Sequence, residues 1–536
     1  MTDTGGVQVE TQLDTLEEKG LVKLATLRPE LEYLFRHALV QDAAYGSLLK
    51  QERRELHGQV GEALETLYPE RTGELAPVLA MHFEQAGDTD KAIEYFVAGG
   101  RHALQQNAIQ EAFGAFDQAS GLIAKEPVPT AESAEDAKRR LRRQVEVDLG
   151  RAEAGYTVLP VEESLGALET SVDRAEELGD LELITRIHVL IALGRLQSGE
   201  APTAPLVARS LKRLEKLGEE LGDPSILAMP LAFVGLSQVF SGPVRDGIAA
   251  LEQAVPLMQN RHDSIGAAFA RGGLAMGYAS LGEFEKADAA VQETKDFAAK
   301  SDLIAQLDAL IAESAVRAAE GRLDLAVPIA RECVDRAEKT GASACVLASS
   351  WILGDALHRL GEFAAAKDVL QRGADVAMAV DRQVWRPTLQ SWLRTTTAAL
   401  GEISKDEDWD EALETSRRIG NHVGEAGIRG KRAEAEAERG DIDAANRDYE
   451  AAIRLLDGLG MRPAMARGLL SWGNALRRAG RTKEAAPILD RSIALFDELG
   501  LDREAQAART TKSLGGLSVS FESPPTPLSP GRSPRR

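Results

Sequence analysis

Between residues 242 and 485 one pattern keeps returning: a glycine, a polar residue, an apolar residue and, five positions after the glycine, an alanine. It reads LGEFEKA over Leu281–Ala287, EGRLDLA over Glu320–Ala326 and LGEFAAA over Leu360–Ala366, with weaker copies at Arg439–Ala445 and Ala479–Ala485. The glycines of this series are Gly242, Gly282, Gly321, Gly361, Gly401, Gly440 and Gly480, spaced 40, 39, 40, 40, 39 and 40 residues apart. A second series of turn signals runs between them and includes Gly179, Gly222, Ser301, Gly341, Asp381, Gly420, Gly460 and Gly500. Glycine ends a helix by adopting a left-handed conformation without a Cβ penalty, and Asp or Ser then caps the next helix. The two series therefore predict helices of about 15–18 residues joined alternately by short turns, which makes neighbours antiparallel. A single pair cannot bury its apolar stripe, so each pair must stack on the next. The expected fold is all-α: a right-handed superhelix of roughly 40-residue repeats, with about nine helix pairs and a capping helix over residues 137–513.

Within the repeats, small and large residues hold fixed places. Gly354, Gly361, Ala366 and Leu370 form one set, and Gly473, Gly480, Ala485 and Leu489 another. Tyr278, Gly282, Ala287 and Val291 match in part. This arrangement resembles the tetratricopeptide repeat family, where small residues let two helices approach and large ones fill the groove between pairs. The repeat here is longer than that family's usual 34 residues. The resemblance implies a concave face, lined mainly by first helices, that holds a protein or peptide. Trp385 and Trp392, two helical turns apart, are candidates to line that groove or to pack in the core. The repeat after Gly401 departs most, and its second helix is expected to start near Asp408 or Trp409.

Outside the array the composition changes. Residues 125–136 are rich in Pro, Glu and Ala and read as a linker. Residues 514–536 are dominated by Pro, Ser and Gly and read as a disordered tail, since no core of their own can form. Residues 1–50 contain LDTLEEKGLVKL, a break at Arg28-Pro29 and the run Tyr33-Leu34-Phe35-Arg36-His37-Ala38-Leu39-Val40-Gln41-Asp42. A helix with Arg53, Arg54, Leu56 and His57 follows, within a helical connector over residues 51–124 that carries repeat-like hairpins. This order resembles the winged-helix segment that follows the ATPase domain in STAND-type signalling ATPases, including bacterial nucleotide cyclases with ATPase and tetratricopeptide modules. The resemblance implies a partial winged-helix-like segment at residues 1–50 and a start that is that of a fragment. It also implies that Arg36 and His37 would sense nucleotide if an ATPase domain were present in cis or in trans. Arg36 and Ala38 replace the Met and Asp that flank the family's histidine, so a capping or packing role for His37 stays open.

Charge and motif content narrow the function classes. The 536 residues carry a formal net charge of −21. An anionic body repels nucleic acid and anionic membrane surfaces, so neither is an expected partner. The tail arginines Arg532, Arg535 and Arg536 form a basic excess without compensating acids. The longest apolar stretch, Ile226–Leu236, is shorter than the roughly 20 residues of a spanning helix. The start lacks the basic and apolar regions of a secretory signal, and a cytoplasmic location is expected. Cys333 and Cys345 lie outside any CxxC pair, so no metal is expected and the two read as reduced, partly buried thiols. The sequence holds no GxxxxGK[ST] loop, no HExxH pair, no GxSxG elbow and no paired aspartates of a cyclase. The expectation is a non-enzymatic scaffold without a cofactor: a sensor portion of a STAND-type regulator or, alternatively, a free-standing adaptor.

Overall fold

The same pair of hydrogen bonds builds the repeat turns at Gly282, Gly321, Gly361, Gly440 and Gly480. In the computed structural model, Gly361 N–H donates to the His358 carbonyl at 3.0 Å and Glu362 N–H to the Leu357 carbonyl at 2.9 Å. These two bonds satisfy the carbonyls that a helix end leaves without partners. All seven glycines of the first series have positive φ, from 74° at Gly321 to 87° at Gly440. After the turn a short polar residue caps the next helix where one is present: Asp441 accepts from Ala444 N–H at 3.0 Å. The described residues are 4–26, 32–106, 108–127, 132–156, 159–260, 264–301, 303–379, 385–402 and 409–513. The expected disordered tail, 514–536, lies outside them, as does Asp381.

The chain divides into two compact units, residues 1–155 with 173–178, and residues 156–172 with 179–536. The first opens with helix α1 (Thr4–Glu18) and an antiparallel hairpin of β1 (Val22–Thr26) and β2 (Glu32–Phe35), in which Val22 pairs with Phe35 and Leu24 with Tyr33. Six helices follow: α2 (Ala38–Ser47), α3 (Lys50–Leu67), α4 (Thr72–Ala86), α5 (Thr89–Gln105), α6 (Ile109–Ile123) and α7 (Ala134–Gly155). Its core gathers Leu79, Phe83, Ile93 and Phe116 with Val147 and Ala154 of α7. Residues 128–131 of the segment read as a linker lie outside the described residues; α7, which follows it, packs on α5 and α6.

The second unit holds the repeat array. It comprises α8 (Val161–Leu178, its last residues counted with the first unit), α9 (Leu181–Gln197), α10 (Pro205–Leu221), α11 (Ala228–Ser241), α12 (Val244–Asn260) and α13 (Ser264–Leu281). Then come α14 (Phe284–Ala298), α15 (Leu303–Ala319), α16 (Leu323–Thr340), α17 (Ser343–Arg359), α18 (Phe363–Ala379) and α19 (Trp385–Ala399). The array ends with α20 (Trp409–Arg418), α21 (His422–Glu438), α22 (Ile442–Gly458), α23 (Arg462–Arg478), α24 (Thr482–Glu498) and α25 (Asp502–Ser513). It is an all-α array of helix hairpins, each packed on the next. The small–large register works as packing: a Cβ on Gly354 would strike Leu370 at 2.5 Å, and one on Gly473 would strike Leu489. Both leucines are buried. Pro224–Ser241, with its short 3₁₀ turn, is long and apolar enough to cross a membrane by length and composition. In this fold it is a core helix, with Ala228, Ala232 and Val239 buried against α12 and α13.

The superhelix turns tightly enough to meet itself. A Cβ on Gly242 would strike Leu459 at 2.5 Å, and one on Gly282 would meet Leu499 and Pro463. The edge of α11–α16 therefore carries the turns that lead into α23 and α25, about five pairs further on. Glu504 of α25 fastens this closure. It accepts from Arg359 at 3.2 Å and from Arg467 at 2.7 Å. The same arginines donate to the last carbonyls of α15, Arg359 to Ala318 at 2.8 Å and Arg467 to Ala319 at 2.5 Å. Cations at a helix C-terminus are favoured by its dipole and by its unpaired carbonyls.

Two stability predictions follow from this geometry. Gly361 has φ +80° and no atom within 4 Å of an added Cβ, so Gly361→Ala should cost only the left-handed strain, about 1–2 kcal/mol. Gly282→Ala adds a collision with Leu499 and should lower the urea midpoint further; equal midpoints would mean that the two turns do not touch. Glu504→Gln leaves two guanidinium groups facing each other and should cost about 2 kcal/mol with an unchanged denaturant slope.

Candidate functional site

From α11 to α19 the first helix of each pair shows no exposed described side chain beyond its second residue. These helices form the inner layer, and their inward side chains meet across it. Phe240 of α11 packs on Trp385 of α19 with ring centroids 5.0 Å apart and on Trp351 of α17 at 6.3 Å. Trp351 and Trp385 are 6.1 Å apart. The buried Trp351 Nε1–H has no hydrogen-bond partner. An orphaned donor among aromatic faces is a place where a carbonyl or carboxylate oxygen would gain a bond that the fold leaves unmade.

Two turns along α19, Trp392 continues this lining. Lys431 Nζ lies 3.9 Å from the Trp392 ring centroid, a close cation–π pair. Lys431 also donates to Glu434 at 2.9 Å, and Glu434 accepts from Ser471 at 3.0 Å. Ser471 meets the Tyr449 hydroxyl at 2.9 Å, and Tyr449 stacks on Trp472, whose Nε1–H donates to Asn446 at 2.7 Å. On the other side His358 Nδ1 is 3.1 Å from Thr396 Oγ1, and its ring meets Trp392 edge-on at 5.8 Å. Burial, followed by the Lys431 charge, pushes His358 down to about 4, so its imidazole is neutral at pH 7. Burial opposes the charge on Glu434, but Lys431 and His358 hold its carboxyl below the usual range. Burial and then Glu434 push the Tyr449 phenol up. The set brings together aromatic faces, one unmatched donor and paired charges.

The other sequence-derived positions lie elsewhere. Arg36 and His37 are exposed where β2 gives way to α2: Arg36 N–H donates to the Leu21 carbonyl at 3.0 Å, and His37 precedes α2 without a side-chain cap bond. The turn glycines sit at the edges of the array, away from its lining. Cys333 and Cys345 are buried free thiols rather than partly exposed ones, and burial pushes Cys333 up to about 12. Among the described residues no three His, Cys, Asp or Glu side chains gather as metal ligands.

Several groups escaped the sequence reading. Arg195 is buried among Glu162 at 2.5 Å, Glu169 at 2.7 Å and Glu200 at 3.2 Å. In the first unit Tyr45 Oη, His57 and His82 form a chain, with Oη–Nε2 at 3.0 Å and Nδ1–Nδ1 at 2.9 Å. No local signal marks Glu162 and Glu169 as partners of Arg195, or the Tyr45–His57–His82 chain, whose members lie 12 to 33 residues apart.

No family model matches the chain. An uncharacterised protein of Rhizobium meliloti (strain 1021) is 29% identical over 112 residues, 21% of this chain and 11% of that protein. This chain thus spans only about a tenth of that relative's length. Similar solved structures include a Rap protein complexed with competence and sporulation factor, at TM-score 0.48 and 14% identity, covering 66% of this chain and 98% of that one. The Cut9–Hcn1 hetero-tetramer of the APC/C gives TM-score 0.46 and 12% identity, covering 88% and 90%. Yeast Tom70 gives 0.28 and 12%, covering 83% and 96%.

The depressed histidine makes a pH prediction. Below its ordinary value of 6.5, His358 takes a proton in the unfolded chain but not in the fold, so stability falls as pH drops from about 6.5 towards 4. The loss has a limiting slope of about 1.4 kcal/mol per pH unit. His358→Gln should show a smaller drop in urea stability between pH 7 and pH 5 than the parent chain, and an equal drop would remove His358 as its source.

Proposed function

We propose that this chain is a protein-binding scaffold, the tetratricopeptide-like regulatory portion of a STAND-type ATPase or nucleotide-cyclase signalling system, whose first unit docks onto an ATPase domain in cis or in trans. The observation that carries this reading is the apolar surface of the first unit. Helix α2 buries none of its residues. Leu39 is 81% exposed, Leu49 69% and Leu67 67%, and Leu34, Phe35, Leu56 and Val60 are exposed with them. A surface so rich in large apolar side chains is what a folded partner would cover. Arg36 and His37 stand between Phe35 and Leu39 in this surface, which is where a nucleotide-sensing pair would have to face such a domain.

A second reading, the free-standing adaptor, draws on the inner lining. There the unmatched Trp351 N–H, Trp385 and the Trp392–Lys431–Glu434 set would grip a peptide or a partner's segment. Calorimetric titration with a STAND-type ATPase domain loaded with ADP separates the two. Under the first reading the parent chain binds and the variant carrying Leu39→Glu and Leu49→Glu binds at least about tenfold more weakly, a loss of about 1.4 kcal/mol. Its melting temperature should not change, because both side chains are already in water. Undetectable binding by the parent, or equal binding by the variant, would overturn that docking surface and leave the adaptor.

A further inference from the structure

Helix α3 carries its exposed apolar side chains in one line. Leu49, which caps the helix, Leu56, Val60 and Leu67 are 69%, 45%, 41% and 67% exposed, and Ala63 is exposed with them. The steps between the five are 7, 4, 3 and 4 residues, so at about 100° per residue they share an arc of about 60° along the whole helix. The side towards α4 is already in use: Arg54 donates to the Ala86 carbonyl at 3.1 Å, Gly61 faces Phe83, and Leu64 packs on the core of the first unit. Tyr45 of α2 takes the flank between, bonded to His57 and lying against the Arg53 guanidinium. Along the opposite flank of the line stand Glu52, Glu55 and Glu62, all exposed. Nearby ion pairs join Lys91 to Glu65 and Arg71 to Glu74, whereas these three carboxylates make none among the described residues.

We propose that α3 seats an amphipathic helix of the partner, its apolar seam on Leu49, Leu56, Val60, Ala63 and Leu67 and its lysines or arginines over Glu52, Glu55 and Glu62. This seat rests on the docking reading above and names what lies in it. A helix answers the spacing, because a row at steps of three, four and seven interleaves along its length with another such row. A strand, with its period of two, would fall out of step with it. Cations answer the acids: an opposite charge across a partly covered contact fixes the register, and a like charge is repelled. Two antiparallel copies of α3 would set one acidic flank against the other. The seat also continues packing that is already in place. Each helix from α4 to α7 packs on the one before it, and α3 stands first with nothing on its outer side. The outer helix of a stack needs a polar outer face or a neighbour, and this one has an apolar line.

Calorimetric titration of the full chain at physiological salt tests the seat with two synthetic amphipathic helices the length of α3. Both carry a leucine seam; one is flanked by lysines and the other by glutamates. The parent should bind the lysine helix, and Leu56→Ser with Val60→Ser should weaken that binding at least about tenfold. Glu55→Lys with Glu62→Lys should weaken the lysine helix and strengthen the glutamate helix, changing their ratio at least about tenfold. Glu52 is left in place, because it accepts from Leu49 N–H at 2.7 Å and closes the start of α3. The substituted side chains are exposed, so both variants should melt with the parent. The chain is anionic overall, and a lysine helix held elsewhere would bind parent and variants alike; that result, or no binding by the parent, overturns the seat. A parent dimer that Leu56→Ser with Val60→Ser dissociates would also overturn it, by giving the line to a second copy. The ADP-loaded ATPase domain separates this seat from the reading above. Equal binding of that domain by parent and variants keeps the ATPase partner and removes the seat. Helix binding that follows the variants, without any binding of the domain, keeps the seat and removes that partner.

Discussion

The second unit depends on one carboxylate held between two arginines. Glu504 draws Arg359 and Arg467 together, and the same guanidinium groups complete the carbonyls at the end of α15. The segments involved are 145 residues apart for Arg359 and Glu504 and 148 for Arg467 and Ala319. In an open solenoid each pair of helices touches only its neighbours; here the clamp acts together with the apolar contacts that set Leu459 over Gly242 and Leu499 over Gly282. With it, the end of the array is joined to its middle, and opening the superhelix requires breaking charge-assisted bonds that are partly shielded from water.

Closure changes what the inner layer can be. In an open array the first helices face water, and their aromatic and charged side chains wait for a ligand. Here Phe240, Trp351 and Trp385 meet one another across the layer, and Trp392 is covered by Lys431. The lining is thus largely matched from within, with the Trp351 N–H as an unmatched donor. The neutral His358 and the ionised Lys431–Glu434 pair set its electrostatics, since burial disfavours a second cation beside Lys431. The large exposed apolar side chains concentrate instead on the first unit, on β2, α2 and α3, where Leu39, Leu49 and Leu67 stand in water.

Local pattern was enough for the repeat. Gly361 ends α17 and Phe363 opens α18 because the glycine can take a left-handed φ and the following residues complete the carbonyls. Gly354 and Leu370 match because one helix must approach another, which a fixed spacing encodes. Trp409 opens α20, as its position after the irregular stretch suggested. The contacts of α7 with α5 and α6 were not legible, because the composition of the preceding residues 125–136 reports only the local chain. Trp385 and Trp392 were legible as one face of one helix, but not their partners Phe240 and Lys431, which come from other repeats.

The sequence by itself determined the helices, their turns, the forty-residue period and the small–large packing of each pair. These are decided by backbone conformation and contacts between near neighbours, which a periodic string records directly. Only the tertiary structure decided that the superhelix meets itself after five pairs, that Gly282 is covered while Gly361 is open, and that Arg359 finds Glu504. Those outcomes depend on the small rotation between successive pairs, summed over several repeats. No residue encodes that sum, and a slight change in each step would leave the same helices and a different set of distant neighbours.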